Sequence, residues 1–373
     1  MPRVTQTNIP QGVIDLGVGH PGLELLPLDE LRQAALRRLE QPDREYLQYG
    51  AEMGDGFFLL ELAQFLSRHY GSAVEPEQLL ATGGISQAID LACTAFTRPG
   101  DTILVEEPTY FLVLQIFRDH GLNVVGIPTD AGGLSLEALE QALQTHRPRL
   151  IYTIPTFQNP TGATQGLNRR KRLVELSQEH GFLILADEVY QLLHYGGAPP
   201  PPLANWADGG TVVSLGSFSK ILAPGLRLGW VQAAPRHLRR LAEVGVIASG
   251  GGLNPFTSAV VRSALELGLQ EVHLTKLRDE YRARSSAMAE ALQRHLPGLD
   301  FHTPGGGYFI WLEVPADTSE LLPKAMAAGV RFQPGVKFSS VGGLRNALRL
   351  CFAYYPPEQL REGVQRLAHV LER

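Results

Sequence analysis

Cysteine is nearly absent from this 373-residue chain, which has only Cys93 and Cys351. Two thiols do not make the disulfide framework of a small secreted scaffold, and both fall in apolar runs where they read as small buried hydrophobes. No apolar stretch approaches the ~20 residues that cross a bilayer, and no basic-plus-apolar leader opens the chain. Neither membrane spanning nor secretion is therefore expected, and the cytoplasm is the expected compartment. Charge of one sign is also lacking. Against 33 Lys and Arg stand 38 Asp and Glu, giving a formal net charge of −5, so nothing points to nucleic acid or an anionic membrane as a partner. Internal repeats are missing. Lysine is scarce too, with five among the 33 basic residues, so the setting of each lysine is informative.

What is present describes a globular protein of 44% hydrophobic and 19% charged residues. A chain this long is expected to form two domains. Strand-like runs (Thr102–Val105, Val124–Ile127, Leu150–Ile154, Phe182–Ala186, Thr211–Leu215, Leu228–Gln232) alternate with helical patterns such as Ser135–Gln144 and Arg169–His180. This alternation predicts an α/β fold with a mostly parallel sheet and helices on both faces. Pro199 to Pro202 reads as an exposed loop. Glu271 to His295 is long, charged and periodic, and predicts a helix bridging two domains. Beyond it, strands at Tyr308–Val314 and Arg349–Ala353 with helices near Ser319–Ala328 and Glu358–Leu371 predict a smaller α+β domain. The expected division is an N-terminal segment, 1–40, joining the small domain, then a large domain, 41–270, and a small C-terminal domain, 271–373.

Among the lysines, Lys171 sits in the basic run Arg169 to Arg172, Lys276 and Lys324 fall on amphipathic helical patterns, and Lys337 lies in a loop. Lys220 alone has an apolar, serine-rich setting. It ends Ser214-Leu215-Gly216-Ser217-Phe218-Ser219-Lys220 and is followed by Pro224-Gly225-Leu226-Arg227-Leu228-Gly229-Trp230. An amine that forms an imine with an aldehyde cofactor needs neighbours that hold the cofactor's phosphate. Ser217 and Ser219 supply hydroxyls and Arg227 a fork-shaped cation suited to phosphate oxygens. The plainer reading is a loop lysine beside a serine-rich turn, and the rest of the chain weighs against it.

The pattern resembles the lysine segment of fold-type I aminotransferases, which use pyridoxal 5′-phosphate. Within them it is most similar to the 2-aminoadipate (LysN-like) aminotransferases and to the aminotransferase-like part of MocR regulators. The other groups that the resemblance implies follow in order. Gly83-Gly84-Ile85-Ser86 opens an apolar-periodic helix whose free amides suit a phosphate, although the family's usual serine is replaced by Ile85. Tyr110, in Glu106-Glu107-Pro108-Thr109-Tyr110, is implied to stack on the cofactor ring. Asn159, in Gln158-Asn159-Pro160-Thr161-Gly162 after a buried strand, is implied to donate to the ring oxygen and to help bind substrate.

Asp187 ends the apolar run Phe182 to Ala186, as a buried parallel strand delivers an acid to a crevice. The resemblance assigns it to the pyridine nitrogen, with Tyr190 sharing the ring oxygen. Arg349 is implied to grip the substrate α-carboxylate. Tyr49, in Gln48-Tyr49-Gly50 with Gly54, is implied to reach the phosphate of a neighbouring subunit, which makes a homodimer. The arginine usual later in that segment is absent around Leu60-Glu61. The implied fold is the fold-type I one, a seven-stranded-type sheet in the large domain.

The implied activity is ping-pong transfer of an amino group from an L-amino acid to a 2-oxo acid, 2-oxoglutarate and glutamate being the expected pair. Lys220 would hold the cofactor as a Schiff base and then move the proton at the substrate Cα. A β-lyase or a decarboxylase on the same fold shares every cofactor residue. A MocR-like regulator requires a DNA-binding module, and the 48 residues before Tyr49 contain no basic recognition helix. Ser249-Gly250-Gly251-Gly252 is expected near the substrate pocket, as a mobile or closely approaching backbone or as a simple loop. No metal is expected.

Overall fold

A computed structural model describes residues 5–372; residues 1–4 and 373, the outermost parts of the first and last expected segments, lie outside the described residues. One sheet organises the larger part of the chain. Its strands lie in the order Leu79–Thr82, Gly229–Ala233, Val212–Ser217, Leu183–Asp187, Leu150–Thr153, Thr102–Glu107, Asn123–Asp130, Gly133–Leu134. Seven of these are full strands, and the eighth is a two-residue edge added by a turn of the chain after Asp130. From Val212–Ser217 across to Asn123–Asp130 the pairing is parallel. Strand runs such as Leu-Ile-Leu-Ala-Asp carry apolar side chains toward both faces because helices cover both. The strand Gly229–Ala233 runs antiparallel to both neighbours. The short Phe218–Leu228 connection, with one tight helical turn at Pro224–Leu226, leaves no length for a parallel crossover.

The parallel strands all end on one edge of the sheet. Glu106, Thr153, Asp187 and Ser217 therefore lie at successive strand ends, where open α/β sheets bind ligands. The helix Ile85–Phe96 also begins on this edge, following the outer strand Leu79–Thr82.

A second, three-stranded sheet pairs Phe309–Glu313 and Gln333–Pro334 with Ala347–Cys351, all antiparallel. The helix Leu269–His295 reaches both parts, as its charged, periodic pattern predicts. Arg278 and Arg282 donate to the carbonyls of Leu192 and Tyr195, whereas Arg284 donates to Ala353 O at 2.8 Å. Near the N-terminus, Ile14–Asp15 pairs in parallel with Val330–Arg331, and the amide of Cys351 donates to Leu16 O. The helix Leu28–Leu39 packs elsewhere, its Arg38 donating to Ala259 O in the helix Pro255–Glu266.

The proline run departs from a plain exposed loop. Pro202 is buried, and the carbonyls of Pro200 and Pro201 accept from the side chains of Gln191 and Arg170. Those two long polar side chains come from segments that pack beneath the run, so its backbone oxygens are used inside the protein. Both cysteines are buried and unpaired. Among the described residues no helix is long and apolar enough to cross a membrane, and no cluster of His, Cys, Asp and Glu has metal-binding spacing.

Candidate active site

Lys220 follows the strand Val212–Ser217 and is carried to the crevice edge by the turn after it. Its Nζ donates to Gly19 O at 2.8 Å and lies 5.3 Å from the centre of the Tyr308 ring. Burial lowers its ammonium from the ordinary 10.5 to about 8, with Arg349 and Arg227 adding to the effect and Asp187 opposing it. The amine thus releases its proton more readily than an ordinary lysine, which favours a nucleophile and base.

Ser217, Ser219 and Arg227 converge with the start of the helix Ile85–Phe96. Ser217 Oγ lies 3.0 Å from Ser219 Oγ, and Arg227 Nη1 donates to Ser219 Oγ at 3.3 Å. Arg227 Nη2 donates to Gly83 O at 3.1 Å. Gly84 caps the helix at φ 90°, and a Cβ there would meet Arg227 Nη2 at 2.7 Å, so glycine is needed for both conformation and space. The first helical bond runs from Ala88 N to Gly84 O. The amides of Ile85, Ser86 and Gln87 precede it and are the donors a helix start leaves free. A basic fork, two hydroxyls and a helix N-terminus in one place are the kinds of group that hold a phosphate. Backbone amides and Arg227 remain where the Ile85 side chain offers no hydroxyl.

Asp187 is 4% exposed. Tyr152, one strand over, donates its hydroxyl to Asp187 Oδ2 at 2.8 Å, and Val189 N donates to Oδ1. Burial pushes the carboxyl up from 3.8 to about 6 despite those bonds. Tyr190 is buried just beyond it, its ring packed on Tyr308 and Phe309 at 5.4 and 6.0 Å. Tyr110 begins the helix Phe111–Asp119, half-buried. Burial raises its phenol to about 12, and the Asp187 charge adds to the rise.

Arg349 and Asn159 come from different sheets and meet directly. Arg349 Nη1 donates to Asn159 Oδ1 at 2.9 Å and Nη2 to Gly17 O at 2.8 Å. Its guanidinium lies against the Phe309 and Phe338 rings, 4.1 and 5.0 Å from their centres, while its buried Nε has no partner among the described residues. A buried fork with an unspent donor fits a carboxylate.

Tyr49 is the one candidate that the chain does not bring to this cluster. It is 85% exposed on the loop before Gly54. Gly50 bridges to Gly252 on the three-glycine run. A Cβ on Gly251 would fall 2.2 Å from Gly50 O and one on Gly252 1.8 Å from Ala51 O, so these two positions are glycine because two backbones approach closely there.

Several site neighbours carry little or no mark in the sequence. Gly17 and Gly19 accept from the arginine and the lysine through carbonyls, which carry no side-chain signature. His20 lies within electrostatic reach of the same two cations and, by burial first, is lowered from 6.5 to about 4. Tyr152 had a weak signal, an aromatic hydroxyl inside an apolar strand.

The whole chain carries a known pattern. Residues 11–367 match the family model for aminotransferase class I and II. The chain belongs to that family. An aromatic-amino-acid aminotransferase of Thermococcus litoralis is 38% identical over 96% of this chain and 88% of its own. The solved multiple substrate aminotransferase of Thermococcus profundus superposes with a TM-score of 0.92 at 37% identity, covering 97% and 92% of the two chains. LysN, the alpha-aminoadipate aminotransferase of Thermus thermophilus, was solved with N-(5′-phosphopyridoxyl)-L-leucine. It gives a TM-score of 0.88 at 35% identity, covering 97% and 92%. This class I/II aminotransferase therefore has the fold of pyridoxal-phosphate aminotransferases and is a transaminase, and its family depends on that cofactor.

Proposed function

We propose that Lys220 holds pyridoxal 5′-phosphate and that the enzyme passes an amino group from an L-amino acid to a 2-oxo acid, with glutamate and 2-oxoglutarate as one pair. The carrying observation is the convergence at one sheet edge of a lysine lowered to about 8, a phosphate cradle and a buried arginine with a free Nε. The residues fit the cofactor: Gly84, Ile85, Ser86, Ser217, Ser219 and Arg227 at the phosphate, Tyr110 at the ring, and Asn159 and Tyr190 at its oxygen. Bound there, the protonated pyridine ring supplies an electron sink for the substrate Cα.

The chain's own residues do the rest. Asp187 holds a proton on the ring nitrogen. Asn159, with Oδ1 taken by Arg349, keeps its Nδ2 hydrogens for donation. Arg349 grips the substrate carboxylate and so orients the Cα–H bond. Lys220 Nζ would take that proton as general base and return it as general acid. A panel of amino acids assayed with 2-oxoglutarate tests this. Glutamate and the matching 2-oxo acid should form in equal amounts, whereas release of ammonia or carbon dioxide without glutamate would contradict it.

We further propose a homodimer in which Tyr49 completes the partner's phosphate site. Its exposure supports this, as does the apolar surface around it, where Leu47, Phe57 and Phe256 are also exposed. These parts are joined by Tyr46 packing on Phe256 and by Arg262 lying over the Phe57 ring. A two-fold interface buries such a patch on both copies at once. Mixing Tyr49→Phe with Lys220→Ala chains is expected to restore activity to roughly a quarter of wild type, because half the dimers carry one intact site. No recovery after verified subunit exchange, or a fully active monomer, would contradict the arrangement.

The division into 1–40, 41–270 and 271–373 is proposed on the pairing of Ile14–Asp15 with Val330–Arg331, which ties only the start of the first segment to the small domain, since the helix Leu28–Leu39 packs on Pro255–Glu266 of the large one. A cytoplasmic role in amino acid metabolism accords with two free, buried thiols.

A further inference from the structure

The loop that carries Asn159 leaves the strand Leu150–Thr153 and runs to Gln165 with little regular structure. It is nevertheless buried, so its backbone and amide side chains must find partners inside the protein. Many of them find one carboxylate. Glu106, in the strand Thr102–Glu107, is 0% exposed. Its Oε1 accepts from Thr153 Oγ1 at 2.6 Å and from Gln165 Nε2 at 3.4 Å. Its Oε2 accepts from Ile154 N at 3.1 Å and from Gln158 Nε2 at 3.0 Å.

Gln158 carries the connection onward. Its Nε2 also donates to Pro108 O at 2.8 Å, and its Oε1 accepts from both the amide and the hydroxyl of Thr161 at 2.8 Å. The residue after it is Asn159, whose Oδ1 receives Arg349 Nη1. Four donors on one side of Asn159 and beyond it thus end on a single side chain, which links to the Asn159–Arg349 pair without touching either residue. From the other side the buried Arg170 donates to Pro155 O at 2.9 Å, Gln165 O at 3.0 Å and Thr156 Oγ1 at 2.7 Å.

We propose that Glu106 is a positioning residue that sets the loop so that Asn159 meets Arg349 in the geometry for binding a substrate carboxylate. This deepens the proposed function and rests on its placement of cofactor and substrate. All four partners donate to this side chain, and three of them are N–H groups that cannot accept. A carboxylate receives all four, whereas an amide of the same shape can keep Thr153, whose hydroxyl also accepts, but turns its NH2 against Gln165 Nε2 and loses at least that contact. Keeping the charge is costly, since burial pushes this carboxyl from 4.5 up to about 7 against the pull of its hydrogen bonds.

Glu106→Gln is the test, assayed as the cofactor-loaded enzyme. It should raise the amino acid KM by about tenfold, the effect of losing one charge-assisted hydrogen bond's worth of alignment, with a smaller change in kcat. The midpoint of the bound cofactor's visible absorbance against pH should also shift, because Asn159 is placed at the ring oxygen. In an Asn159→Ala background the same substitution should add little to either, since the two act through one contact. An unchanged KM and midpoint, or effects that add in full to those of Asn159→Ala, would overturn the proposal. Gln158→Met cuts the same link from the loop side and should raise KM alike, so an unchanged KM there also overturns it if Glu106→Gln fails to fold. Loss of that absorbance in wild type would instead count against Lys220 as the cofactor residue.

Discussion

Lys220→Ala should lose turnover by at least about 10⁴-fold, because it removes both the covalent attachment point and the general base at the substrate Cα. Cofactor should still bind through the Gly84–Ser86 amides, Ser217, Ser219 and Arg227, but without the absorbance of a lysine-bound aldehyde. Borohydride treatment of wild type should fix the cofactor to one peptide, the one containing Lys220. Label on Lys337 would sink the assignment, and so would equal borohydride labelling of the alanine variant. Lys337 makes a telling comparison. Burial lowers it too, but it lies over the Phe111 ring and donates to Gln333 Oε1, away from the serine–arginine cradle.

The second large effect is expected at Asp187. Asp187→Ala should retain cofactor yet lose about 10²- to 10³-fold in kcat, the range typical of removing one preorganised electrostatic partner. Near-normal turnover would mean that another group protonates the ring. The same residue predicts a pH dependence in the cofactor-free protein. Its carboxyl is raised from 3.8 to about 6, chiefly by burial, so the folded state holds this proton more tightly than the unfolded chain. The stability it contributes is present below pH 4 and is lost as pH rises through 6. Tm measured across that window should fall less steeply in Asp187→Asn than in wild type. Equal slopes would remove Asp187 as the source.

The parts of this protein that were legible in sequence are those in which chemistry and local structure coincide along the chain. Lys220 stands out because its hydroxyl and arginine neighbours are within seven residues of it. Asp187 stands out because a five-residue apolar run has the length of a buried strand and is short for a buried helix, and such a strand delivers its terminal acid to the sheet edge. The parallel sheet followed from the same runs. The antiparallel Gly229–Ala233 strand is marked only by the shortness of the connection before it.

What stayed hidden depends on contacts between distant segments. Glu106 stands just past the predicted strand Thr102–Val105 with nothing local to mark it, until strand pairing sets it beneath residues 153–165. Gly17 and Gly19 serve through carbonyls, which any residue type has. Arg349 showed its role only by resemblance, since a strand arginine is ordinarily solvated, and its burial between Phe309 and Phe338 depends on folding of the second sheet. Pro199 to Pro202 misled because composition reports the lack of amide donors and says nothing of where the carbonyls point.

The central claim is that the amino group is parked on a cofactor held by Lys220 and is then handed on. A half-reaction reads this most directly. Cofactor-loaded enzyme is mixed with a single amino acid donor and no 2-oxo acid, and products are counted per subunit. The account predicts about one equivalent of 2-oxo acid, no free ammonia, loss of the lysine-bound absorbance, and its return when 2-oxoglutarate is added. Continuous release of ammonia or carbon dioxide without an acceptor would contradict it.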